Sequence, residues 1–70
     1  MWVIDITGCA VNMNHATDIY IEDFGEDYEI RIMTVNGGDT GFEVFKTRKA
    51  AEARIAELVE ELNGERANNG

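Results

Sequence analysis

A single thiol, Cys9, a single imidazole, His15, and no serine are all that this 70-residue chain offers for nucleophilic chemistry. A thiolate-imidazole pair needs the two groups in contact and a third group to orient the ring, and the spacing of Cys9 and His15 supplies neither. Serine hydrolysis is excluded. A buried thiol and a structural histidine are the expectation for these two residues. Metal chemistry lacks agents as well, because one His, one Cys and scattered carboxylates do not make the clustered spacing of a zinc site. Glu22, Asp23, Glu26, Asp27 and Glu29 bracket a turn and would attract a cation, but the twelve-residue calcium-loop pattern is missing. They read as a solvated hairpin tip, and the chain reads as a protein without catalysis, metal or cofactor.

Anion binding is the chemistry the residue pattern favours. The loop Asn36-Gly37-Gly38-Asp39-Thr40-Gly41 has the glycines that allow close backbone approach, yet it lacks the Lys-Ser/Thr ending of a P-loop and precedes a strand, so it reads as a hairpin connection. Lys46, Thr47, Arg48 and Lys49 are more pointed. They hold half of the six basic side chains and stand where a helix begins, while Glu57, Glu60 and Glu61 follow toward its end. That order opposes the helix macrodipole, which favours acids at the start and bases at the end. Free backbone N–H groups beside cations form an anion-docking point, and Arg31, Tyr20 and Trp2 are candidates to grip the phosphates and base of a small nucleotide.

The charge balance narrows the partners. With 14 Asp and Glu against 6 Lys and Arg, the net charge is −8, which opposes direct nucleic-acid binding and leaves only a local basic spot for a small anion. So short a chain forms one domain that buries only about 60 % of its unfolded surface, so homo-oligomerisation is expected to add to its stability. One cysteine forbids an internal disulfide, and with no signal-peptide pattern the expected compartment is a reducing cytoplasm. Its apolar runs fall far below the roughly 20 residues that cross a bilayer.

Short alternating runs broken by Gly, Asn and Asp predict strands over Met1 to Ile6, Ala10 to Met13, Asp18 to Phe24, Tyr28 to Val35 and Phe42 to Phe45. From Thr47, a fitting N-cap, the period changes: Ala51, Ile55, Leu58, Val59 and Leu62 mark one helical face. Asn63-Gly64 suggests a left-handed stop, leaving residues 1–64 as a single domain and 65–70 as a flexible tail. The expected fold is α+β, an antiparallel meander of four or five strands with a C-terminal helix across the face carrying Ile4, Ile19, Ile21, Ile30, Ile32 and Val44. The other face would mix Val3, Tyr20, Met33 and Phe45 with Asp5, Glu22, Glu29, Arg31 and Glu43, a composition suited to pairing of subunits.

Val11-Asn12-Met13-Asn14-His15, Asp18-Ile19-Tyr20-Ile21-Glu22 and the run Phe45-Lys46-Thr47-Arg48-Lys49-Ala50-Ala51-Glu52 resemble small phage- and prophage-borne accessory proteins, themselves short β-meander-plus-helix chains. The resemblance implies a role in the contest between phage and host, in the host cytoplasm, rather than a reaction. Two expectations follow. The first is a stoichiometric sponge that sequesters a nucleotide signal at Lys46, Thr47, Arg48 and Lys49 with Arg31, Tyr20 and Trp2. The second is an acidic interaction module, or DNA mimic, that blocks a basic nucleic-acid-binding host protein.

Overall fold

The structure is a computed structural model that describes the backbone of residues 1–69 and the side chains of residues 1–64. It is α+β: five antiparallel strands in two sheets, with one C-terminal helix against them. Strands β1 (Trp2–Ile4) and β2 (Ala10–Asn12) pair as a ribbon, and a single 3-10 turn, Met13–His15, leads into the second sheet. There β3 (Ala16–Asp23), β4 (Tyr28–Thr34) and β5 (Asp39–Phe45) form a meander. Glycines with positive φ, Gly25 and Gly37, turn its two hairpins, a conformation that side chains with a Cβ avoid.

Helix α1 (Arg48–Asn69) starts where expected. The Thr47 hydroxyl accepts a hydrogen bond from the Ala50 N–H at 3.1 Å, satisfying a donor that no helical carbonyl can reach. The helix then runs through Asn63 and Gly64, where the sequence suggests a stop. Gly64 is not among the glycines with positive φ, and a helical glycine costs only about 1 kcal/mol relative to Ala, so it is no obligatory terminator. The tail expected over 65–70 lies outside the fully described residues.

Met13, Ile30, Ile32, Phe42, Ala51 and Leu58 form the core, with Val3, Val11, Ile19, Ile21, Phe45, Ile55 and Leu62 packed around it. Two strands present faces opposite to those expected. In β1, Val3 turns to the core and Asp5 is buried just beyond it, whereas Trp2, Ile4 and Ile6 are 65 %, 61 % and 53 % exposed. A carboxylate holds the inward place because four donors meet it: Thr7 N–H, Thr7 O–H and Cys9 N–H on Oδ1, and Thr40 O–H on Oδ2, at 2.7–2.9 Å. In β5 the cause is a bulge: Ile30 pairs with Glu43 but Arg31 with Gly41, so Phe42 is an extra residue. Beyond it the alternation inverts. Phe45 packs on the core opposite Tyr28, Glu43 turns toward the helix, and Val44 faces outward opposite Glu29.

Arg54 ties the helix to that bulge. Its Nε donates to Glu43 Oε1 at 2.6 Å, its guanidinium lies 5.5 Å from the Phe42 ring centre, and Glu57 and Glu61 stand 3.9 Å away. The hydrogen bond to Glu43 leads the effects that hold this guanidinium more firmly protonated than usual.

Candidate interaction surface

The face of the three-stranded sheet that points away from α1 is built by register. Tyr20 is opposite Arg31, Glu22 opposite Glu29, Met33 opposite Asp39, and Arg31 opposite Gly41, so these side chains share one surface. Arg31 is its hub. Its guanidinium binds the Glu29 carboxylate, donates from Nε to Asp39 Oδ2 at 3.0 Å and lies 3.6 Å from Glu22 Oε2. Tyr20 donates its hydroxyl to the same Asp39 oxygen at 2.7 Å. Each ionisation state responds accordingly. The bond to the Asp39 carboxylate raises the Tyr20 phenol, the Tyr20 and Arg31 donors hold Asp39 below the usual carboxylate range, and Asp39 keeps Arg31 firmly protonated.

One cation held by three carboxylates leaves a net negative surface. Its Arg31 is occupied by internal partners. A phosphate approaching it would have to displace carboxylates already in place, at a cost in both pairing and repulsion.

An apolar strip adjoins this surface through Gly41. The Ile6 N–H donates to the Gly41 carbonyl at 2.9 Å, which joins the end of the ribbon to β5. Gly41 is buried, and a Cβ there would overlap the Glu29 carboxylate and stand 3.1 Å from Ile6 Cγ2. Any larger residue here would have to displace the Glu29 carboxylate and shift Ile6. Ile6 thus stands beside the carboxylate cluster, Ile4 and Trp2 follow it at alternate, exposed positions of the ribbon, and Val44, 45 % exposed, lies opposite Glu29.

The other residues singled out in the sequence lie apart from this cluster. Lys46 pairs with Asp27 at 2.8 Å while remaining 84 % exposed, and the Arg48 guanidinium lies 5.7 Å from the Tyr28 ring centre. Lys49 is exposed on the first turn of α1, beside the Thr47 cap. So the structure joins Arg31 to Tyr20, places Lys46, Thr47, Arg48 and Lys49 together at the helix start, and sets Trp2 on the ribbon. Cys9 is exposed rather than buried, since Asp5 draws its backbone N–H, not its thiol, into the loop, and His15 is exposed at the end of the 3-10 turn. Among the described residues no group of three or more His, Cys, Asp or Glu is placed to hold a metal ion, and no helix is long and apolar enough to cross a membrane.

Sequence reasoning missed the role of Asp5, although Asp5-Ile6-Thr7-Gly8 carries the signal of a side chain capping its own turn. The pairing of Arg31 with Glu29, its same-face neighbour two residues away, was likewise readable from the alternation of the strand. Comparison with known protein families, with curated proteins and with solved structures finds no match to this chain.

Proposed function

We infer that this chain is a non-catalytic binding module whose acidic sheet face and adjoining apolar strip engage a basic surface on a partner protein in stoichiometric ratio. The capture of Arg31 by Glu22, Glu29 and Asp39 carries this reading, because it turns the one cation of the face among the described residues into a scaffold for its carboxylates. Trp2, Ile4 and Ile6 supply the apolar anchor that an interface needs beside a charged rim. The phage resemblance supplies the setting: a nucleic-acid-binding host protein whose basic groove the carboxylates would occupy in place of phosphates. Sequestration of a nucleotide has less support, because Arg31 and Lys46 already have carboxylate partners and Trp2 stands on a different sheet from Tyr20. Self-association through the Trp2, Ile4 and Ile6 strip belongs to the same reading, and light scattering of the wild type and of Trp2→Ser measures it.

Calorimetric titration with a lysine oligomer and, separately, with ATP tests the choice. Lysine-oligomer binding should weaken in Glu22→Gln and Asp39→Asn, and it should stay unchanged or strengthen when Lys46, Arg48 and Lys49 are all replaced by Ala. Stoichiometric ATP binding that disappears with those three cations would refute the module.

A further inference from the structure

The order β3-β4-β5 leaves one side of β3 without a strand among the described residues. Unpaired backbone donors and acceptors on such an edge are a template for one more strand. Beside it, between the strand and the second half of α1, lies a groove of about 310 Å³ lined by Met13, Ile19, Ile55, Val59 and Leu62, with Asp18 as the charged residue in its wall. Val59 is 43 % exposed there, more than its place on the apolar helical face requires.

Side-chain alternation sets which neighbour fits. Asp18, Tyr20 and Glu22 stand on the outer face, opposite Met33, Arg31 and Glu29, whereas Ile19 and Ile21 stand on the helix face, opposite Ile32 and Ile30. A strand added at this edge meets carboxylates with every second side chain and the groove with those between. A second copy of the chain has the wrong charge for it. Antiparallel pairing about Tyr20 would set Asp18 of each copy against Glu22 of the other, on molecules that each carry −8. Acidic side chains on an edge oppose self-pairing and at the same time select a basic neighbour.

We propose that the β3 edge and its groove bind an extended segment of another protein in which apolar and basic residues alternate, adding it as a fourth strand of the β3-β4-β5 sheet. Main-chain hydrogen bonds supply the docking, and the alternation supplies the selectivity. This deepens the acidic-module reading by naming the segment, but it uses the edge and not the Trp2 strip.

The probe is a fluorescein-labelled seven-residue peptide alternating lysine and valine, titrated with the full chain by anisotropy and mapped by backbone amide NMR. Its controls are an isomer with the lysines and valines in two blocks, and an alternating glutamate-valine peptide. The alternating lysine peptide should bind roughly tenfold or more tighter than the block isomer, the step that one well-placed set of contacts produces. Amide shifts should centre on residues 16–23. Val59→Lys, on an exposed position, should weaken binding by a similar factor with an unchanged circular dichroism spectrum, and Asp18→Lys should move the preference toward the glutamate peptide. Equal binding of the two lysine peptides overturns the proposal. So does an inert Val59→Lys, or β3 shifts that follow protein concentration instead of peptide, which would mark a second copy. Peptide-induced amide shifts confined to Trp2, Ile4 and Ile6, with residues 16–23 unmoved, would place the peptide on the outer strip and overturn the edge, so failure of the edge and failure of the outer face are read separately.

Discussion

Replacing Gly41 by Ala tests whether the acidic face and the ribbon are one mechanical unit. The added methyl would overlap Glu29 Oε2, approach Glu29 Cδ to 2.9 Å and Ile6 Cγ2 to 3.1 Å. Two responses are open to the chain. Glu29 can swing away, which breaks its bond to Arg31, or β5 can retreat, which strains the 2.9 Å hydrogen bond from Ile6 N–H to the Gly41 carbonyl. Both side chains of the ion pair are largely covered, 21 % and 15 % exposed, so the first route is not free. Overpacking of this kind costs about 1–3 kcal/mol. A domain of this size has roughly 3.5–10 kcal/mol in total at the usual stability per residue. Each kcal/mol lowers the melting temperature by about 4–8 °C in a chain of this length, so the loss is well within reach of thermal circular dichroism. Urea titration then gives the free energy. Glu29→Ala removes the obstructing carboxylate, so the double variant Gly41→Ala/Glu29→Ala should be more stable than the two single effects added together, by about 0.5 kcal/mol or more. A Gly41→Ala variant within about 0.5 kcal/mol of wild type, the range of an ordinary surface substitution, would refute this account of the junction.

Leu58→Ala should cost about 2–5 kcal/mol, because Leu58 is fully buried and its truncation leaves a cavity in the core, and urea unfolding should find the midpoint lowered accordingly. Thr47→Ala should remove about 1 kcal/mol by leaving the Ala50 N–H uncapped, read in the same titration. Asp5 gives a pH signature. Its donors, led by the Thr7 and Thr40 hydroxyls, lower its folded pKa below the unfolded value, so its contribution is complete above the unfolded pKa and is lost as pH falls toward the folded one. Asp5→Asn should therefore be less stable than wild type near neutrality and should lose less on going from about pH 5 to pH 2; an equal loss in both proteins would refute the assignment.

The order of strands and helix was legible because local patterns set it: period two over Tyr28 to Val35, the change of period after Thr47, and Gly-rich turns between strands; the ends were not, since β5 starts at Asp39, inside the stretch read as a loop, and β1 stops at Ile4. Side-chain facing was legible only where alternation runs unbroken, as through Ile19, Ile21, Ile30 and Ile32. It failed in β5 because a bulge is a property of the pair, fixed by what Gly41 and Phe42 meet across the strands, and one strand's own alternation does not reveal it. It failed in β1 because an aspartate with four donors satisfies its charge inside, which hydropathy counts as outside. The same loop closes on Asp5 through Thr7 and Cys9 and fastens the ribbon to Thr40 of β5.

The reversed charge order of α1 acquires a tertiary account from these contacts. Favourable dipole interactions at a surface are worth about 0.3–1 kcal/mol each, small enough for local pairings to outweigh them. Lys46 lies before the helix and meets Asp27 across the β3-β4 turn, and Arg48 rests over Tyr28 on the neighbouring strand. Both fix the start of the helix against β4, the strand that carries Ile30 and Ile32 into the core. At the other end, Glu57 and Glu61 draw toward Arg54, which already holds Glu43 of β5. Lys46, Arg48, Glu57 and Glu61 thus serve the docking of helix on sheet, and an anion at the helix start is not required to explain these four. Neutralising Lys46, Arg48 and Lys49 together should then lower stability modestly while leaving partner binding by the acidic face intact. A loss of that binding with no loss of stability would return the helix start to the centre of function.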